Sequence, residues 1–357
     1  MKIEIQIGCT GMVNRTVSLL IEPTELNNVV FNVAFPEARN RSGFYMRRHA
    51  KLPETAGCFV GPNNPLRALG EPKKIPIREH LDRIGLSLPS PSRFETPSSE
   101  RFQTANTVIA IPASDTVANL LRPCFSRDGF GTRRLFFFED EPVSKRNYSA
   151  LCFFQGADRG LQLSILDVIF DNMEDTVKSL EGKDLATEGL NWAVSLVPLV
   201  KDGRPVSACE IAQNDYDLRH IFGSLASQEI LSAYDVWYEG WNDRVCELVS
   251  EKMGDKTPFA VYYHSVIGID QSGAVRIYQK DCSLPELALE LAANGIVTAG
   301  LLDSGGSCAV YDNWLGGYLN HGWYFREPRG AILAFQLNAL ERIPEPNPGS
   351  WIQNRRG

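Results

Sequence analysis

The sequence predicts an α+β protein. A small β-rich module is expected over residues 1–86, a linker over 87–103, a mixed sheet-and-helix domain over 104–340 and a tail over 341–357. Three observations predict this. Apolar and polar residues alternate in several short runs, the period of a half-buried strand. One segment, Ser283 to Gly295, has helical spacing with both ends marked. Between the two halves, Leu88-Pro89-Ser90-Pro91-Ser92 and Thr96-Pro97-Ser98-Ser99 have the composition of an extended linker.

In the first module Ile3, Ile5 and Ile7 alternate, Arg15 to Ile21 is a second candidate strand, and Phe31, Val33 and Phe35 mark a third. Gly61 to Pro65 breaks the chain, and Ile77, Leu81 and Ile84 then stand at helical spacing. Beyond the linker, Val108-Ile109-Ala110-Ile111 and Leu135-Phe136-Phe137-Phe138 read as buried strands. The segment Cys209 to Gly254 carries Tyr234, Trp237, Tyr238 and Trp241 along one helical stripe. Such a stripe is expected in a core or subunit contact, with a platform for a sugar or peptide as the sharper reading.

The pattern is clearest towards the C-terminus. Val266 to Ile269 and Ala274 to Tyr278 form a predicted hairpin around the turn Asp270-Gln271-Ser272-Gly273. Ser283 is the expected helix N-cap and Glu286, three residues on, completes a capping box. Leu284, Leu287, Ala288 and Leu291 share one face, and Gly295 is the expected stop. Ile296 to Leu302 is then an apolar strand that delivers Asp303 to the turn Ser304-Gly305-Gly306-Ser307. Small residues in such a turn let successive backbone N–H groups face inward, a nest that favours anions or polarised oxygens.

Hairpin, helix, strand and Asp-x-Gly-Gly-Ser, in this order, resemble the phosphodiester glycosidase family. Lys201-Asp202-Gly203 resembles that family's Lys-Asp-Gly hairpin, and Arg326-Glu327-Pro328-Arg329 with the strand from Gly330 to Leu337 resembles its closing segment. The resemblance covers roughly residues 148 to 338 and implies a phosphodiester-glycosidase-like domain. It also exposes departures. Leu301 stands at the family's Asn, Ser304 at its first Gly, and His264-Ser265 at its Arg-Thr pair. Leucine makes no hydrogen bond, and replacing Arg by His removes a permanent charge and a bidentate fork.

What the resemblance implies about the site follows. Asp303 is the candidate general acid/base or ligand anchor and His264 the candidate proton shuttle. Ser265, Ser304, Gly305, Gly306 and Ser307 are candidate ligand-binding residues, and Arg326 and Arg329 candidate sources of positive charge, with His321 beside them. The plainer readings are that Asp303 caps its own turn and that His264 is a hydrogen-bonded structural residue. Cys308 with His264 and Asp303 forms a candidate nucleophilic arrangement, against a plain buried thiol. No second carboxylate is identified for a two-acid glycosidase. No metal and no cofactor are expected, because no acidic spacing matches a calcium loop.

Composition bounds the partners. The chain has 357 residues, 43% hydrophobic and 22% charged, with net charge −7. That balance argues against a general nucleic-acid surface. No stretch of about 18 apolar residues predicts a membrane span. The first residues lack the apolar core of a signal peptide, and the eight cysteines are scattered without a Cys-x-x-Cys pair. A cytoplasmic protein with reduced thiols is therefore expected. A homodimer is possible on base rates alone.

Three function classes stand. The first is a phosphodiester-glycosidase-like scaffold that has lost hydrolysis and binds a peptide, a sugar-like ligand or a biosynthetic intermediate. It is favoured because the donors changed here are those that stabilise developing charge. The second is a divergent hydrolase of glycosides or glycosyl phosphodiesters using Asp303 and His264. The third is a structural or assembly partner.

Overall fold

The computed structural model describes residues 2–7, 15–33, 76–83, 86, 107–113, 123–127, 133–136, 147–156, 160–171, 173–207, 210–211, 214, 261–313, 317–321 and 331–337. Its strands are β1 (Lys2–Ile7), β2 (Arg15–Ile21), β3 (Leu26–Val33), β4 (Thr107–Pro112), β5 (Cys124–Arg127) and β6 (Arg133–Phe136). They continue with β7 (Asn147–Gly156), β8 (Gly160–Asp171), β9 (Thr176–Ser179), β10 (Leu190–Lys201), β11 (Arg204–Pro205) and β12 (Tyr262–Asp270). The last are β13 (Val275–Cys282), β14 (Ile296–Ser304), β15 (Ala309–Asp312), β16 (Gly317–His321) and β17 (Ala331–Leu337). The α-helices with assigned bounds are α1 (Ile77–Arg83) and α2 (Leu284–Ala293).

These strands build two sheets. The larger has 12 strands with the main order β1-β2-β13-β12-β14-β10-β7-β8-β9, and the smaller has five in the order β16-β15-β4-β17-β3. Every strand pair described is antiparallel. The sheets face each other across one apolar core. Leu19, Ile267, Ile277, Leu302, Val194 and Leu196 of the larger sheet share it with Phe31, Ile109, Ile111, Leu333 and Phe335 of the smaller.

The α+β expectation is therefore corrected: the fold is largely all-β. Both expected helices exist, but the long segments around them are strands, and the inner face of the large sheet is covered by a second sheet rather than by helices. The first three strands also do not make a sheet of their own. β2 pairs with β13, joining Leu19 to Ile277, and β3 pairs with β17, joining Phe31 to Leu333. The linker expected at 87–103 and the tail at 341–357 lie outside the described residues, as does the aromatic stripe from Tyr234 to Trp241.

Local chemistry explains the elements that position the site. The α2 capping box forms as expected: the Ser283 side chain accepts from the Glu286 N–H, and Glu286 accepts from the Ser283 N–H at 3.1 Å. Gly295 ends the helix at φ +79°, a conformation glycine adopts without strain. The helix buries Leu287, Ala288 and Leu291 against Val197, Val266, Leu301 and Tyr278 on the outer face of the large sheet. Its Glu290 accepts from Tyr278 and from Lys280, which fastens α2 to β13. Between β10 and β11, Asp202 and Gly203 both take positive φ, 50° and 72°, the two-residue hairpin turn that Asp-Gly favours.

Candidate functional site

The C-terminal end of β14 lies beside the N-terminal half of β12, and the register between them sets the site. Val266 pairs with Leu301, but Ser265 pairs with Asp303 and His264 with Ser304, so β14 carries one extra residue there. Such a bulge re-aims a side chain. It lets Leu302 and Asp303 share the span opposite Ser265, with Leu302 in the core between the sheets. Leu301 instead lies in the cluster beneath α2. The leucine at the family's Asn position is thus a core contact in this fold.

Asp303 is only 6% exposed, and both of its oxygens are engaged by the turn it begins. Oδ1 accepts the Ser304 N–H at 2.9 Å, and Oδ2 accepts the Ser307 hydroxyl at 2.5 Å. Ser307 is itself buried. Asp303 therefore does cap its own turn, the plainer of its two expected roles. The anion nest expected from Ser304 to Ser307 is partly taken up within the protein, at the Ser304 and Gly305 N–H groups. The Gly305 N–H donates to the Tyr263 carbonyl at 2.6 Å, and the Cys308 N–H to the Gly305 carbonyl at 3.2 Å. Gly305 holds φ +85°, which permits that path.

His264 is buried, and its Nδ1 lies 2.8 Å from the Ser304 Oγ. Its Nε2 is buried without a hydrogen-bond partner. Burial lowers its pKa to about 4, opposed only in part by the Cys282 backbone, so the imidazole is neutral near neutrality. Ser265 is fully buried and accepts from the Gln279 amide at 3.3 Å; that amide's oxygen accepts the Tyr263 hydroxyl at 3.2 Å. Cys308 is buried and its thiol donates to the Tyr263 carbonyl at 3.4 Å. The structure thus brings Asp303, His264, Ser265, Ser304, Ser307 and Cys308 to one corner of the sheet. It does not link them as a Cys-His-Asp relay, because the partner of His264 is Ser304 and the thiol is held by a backbone carbonyl.

Arg326 and Arg329 lie outside the described residues, and no position is assigned to the His321 side chain. Among the described residues, no group of three or more His, Cys, Asp or Glu side chains is arranged to hold a metal ion. Sequence reasoning missed Tyr263, Gln279 and Ser195. Gln279 stood in view, two and four residues beyond Ile277 and Val275, a polar residue on the inward face of an alternating strand. Ser195, 2% exposed with no partner for its Oγ, interrupts the apolar run of β10.

No protein-family description matches the chain, and no curated protein matches it. Among solved structures it is similar to the zebrafish N-acetylglucosamine-1-phosphodiester alpha-N-acetylglucosaminidase catalytic domain auto-inhibited by pro-peptide. That likeness has TM-score 0.43 and 10% identity and covers 94% of this chain and 81% of that one. It is also similar to a hypothetical protein from Synechocystis, at TM-score 0.36 and 11% identity over 94% of this chain and 61% of that one. A putative exported protein from Burkholderia pseudomallei gives TM-score 0.36 and 13% identity over 93% and 75%. These likenesses are shallow, and the chemistry of the site rests on its own residues.

Proposed function

We infer that this chain binds a small polar ligand or a peptide at the corner formed by Asp303, His264 and Ser304, and does not hydrolyse it. The observation that carries this reading is the engagement of both Asp303 oxygens by the Ser304 N–H and the Ser307 hydroxyl. A general acid must give its proton to substrate and a nucleophilic carboxylate must reach it, and a buried carboxylate committed to its own turn is held from both. The proton shuttle is weak for a related reason. Protonating His264 places a cation in a buried site, so an imidazole with pKa near 4 is a poor base at neutral pH. The backbone donors that would stabilise an oxyanion are also partly consumed, since the Ser304 and Gly305 N–H groups already have partners inside the protein.

Binding tolerates these commitments better than catalysis, because it needs complementarity to a ground state and not to developing charge. The test is turnover of a panel of chromogenic glycosides and glycosyl phosphodiesters by the wild-type chain and by Asp303→Asn. The expected result is no turnover by either above the uncatalysed rate. Turnover by the wild type that disappears in Asp303→Asn overturns the reading and makes the protein a hydrolase that uses Asp303.

A further inference from the structure

Asn294 and Gly295 are the single Asn-Gly pair in the sequence. An asparagine amide is open to attack by the backbone nitrogen of the next residue. Glycine favours that attack, because it has no side chain to crowd the approach and its backbone turns freely. Both residues are exposed, at the joint where α2 ends and β14 begins. Among the described residues, no hydrogen bond holds the Asn294 side chain.

The reaction needs no partner but water. The Gly295 nitrogen gives its proton to solvent base, and its electron pair forms a bond to the Asn294 Cγ. The bond from Cγ to Nδ2 breaks and ammonia leaves, closing a five-membered imide. Water then opens the imide at either carbonyl. Breaking the new N–Cγ bond leaves aspartate. Breaking the original peptide bond leaves isoaspartate, whose backbone runs through Cβ and is one carbon longer. One water is consumed, one ammonia is released, and nothing is oxidised or reduced.

The folded helix end opposes this chemistry. Asn294 is the C-cap of α2 with ψ 12°, which points the Gly295 nitrogen away from Cβ. Ring closure brings that nitrogen to the Cβ side, a rotation of more than a right angle. The Gly295 N–H also donates to the Ala292 carbonyl at 3.0 Å, and the Asn294 N–H to the Glu290 carbonyl at 3.0 Å. The first of these bonds holds the very proton that the nucleophile must lose. Both break if the last turn of α2 opens. That opening is confined, because Leu291 is 1% exposed and anchored in the cluster beneath the helix, whereas Ala293 beyond it is exposed. Helix ends of this kind open at far lower cost than the whole fold.

We propose that Asn294–Gly295 is a site of spontaneous covalent modification, at which deamidation is gated by opening of the last turn of α2. The proposal is independent of the ligand-binding reading. Its products bear on the same region, since aspartate puts a negative charge at the helix C-terminus, where the dipole disfavours it. Isoaspartate lengthens the joint ahead of β14, the strand that carries Asp303.

The experiment ages the full chain in mildly alkaline buffer, folded and in concentrated urea. Peptide mapping by mass spectrometry follows each amide, and enzymatic methylation detects isoaspartate. In the folded chain Asn294 should convert before any other asparagine, with isoaspartate among its products. Its rate should be about tenfold or more below the rate in urea, the scale of a local opening. Ala293→Gly leaves the reacting pair intact and weakens the exposed end of the helix by about 1 kcal/mol. It should raise the folded-state rate about fivefold and leave the rate in urea unchanged. Earlier conversion of another asparagine in the folded chain, or no conversion of Asn294 there, overturns the site. Equal rates with and without urea, or an unchanged folded-state rate in Ala293→Gly, overturn the gate.

Discussion

His264 lies among strands whose backbone groups are largely paired, so protonating it places a cation where water does not reach. The consequence for stability has a definite sign. The folded chain holds His264 neutral down to about 4, whereas the unfolded chain protonates it near its ordinary value of 6.5. Between those values the unfolded state binds more protons, so stability falls as pH falls through this window and the contribution is complete only above it. The shift corresponds to about 3 kcal/mol, an order-of-magnitude figure. Urea midpoints measured from pH 7 down to pH 4 should drop more steeply for the wild type than for His264→Gln. Equal slopes for the two proteins would remove His264 as the cause. At this scale the sequence was only partly legible. Asp303, His264 and Ser304 stood out through a motif, but the contact between His264 and Ser304 depends on a one-residue bulge, and neither strand's own pattern announces where a bulge falls. Gln279 was legible in principle, because polar residues on the apolar face of a strand are costly unless they are satisfied.

Among the elements, α2 was readable from end to end because its signals are local. Ser283, Glu286, the apolar face and Gly295 each act within a turn or two of themselves, and each does what its chemistry dictates. Replacing Ser283 by Ala should cost about 1 kcal/mol through loss of the cap. The measure is a lower urea midpoint at unchanged slope; an unaltered midpoint would mean that packing under the helix, not its cap, sets its stability. The long strands were harder to read for a physical reason. From Ala193 to Val200, β10 is buried at every position, packed by the second sheet on one side and by α2 and its neighbours on the other. A strand buried on both faces loses the period of two that identifies strands in sequence. Hence the hairpin of β12 and β13 was found, while the extent of β7, β8 and β10 was not, and the fold class was read with too much helix.

For the molecule as a whole, the question is whether the two sheets form one cooperative unit or two. The expected division into an N-terminal module and a later domain implies two. The pairing implies one, because β2 completes one sheet against β13 and β3 completes the other against β17. Proximity in sequence suggested a module, whereas register assigns those strands to partners more than 250 residues away, which no local pattern encodes. Trp192 ties the sheets directly. Rooted in β10 of the larger sheet, it donates its indole N–H to the Val29 carbonyl in β3 of the smaller at 3.0 Å. Its ring stacks on Phe153 at 5.5 Å and meets Phe31 at 5.7 Å. Trp192→Phe keeps an aromatic ring and leaves the buried Val29 carbonyl without its donor, a loss of about 1–3 kcal/mol. If the sheets fold as one unit, far-UV and near-UV circular dichroism should report a single urea transition in wild type and variant, shifted to lower urea in the variant at constant slope. Two transitions, with only one displaced by the substitution, would mean that the sheets unfold separately and that their shared core is not what makes the molecule cooperative.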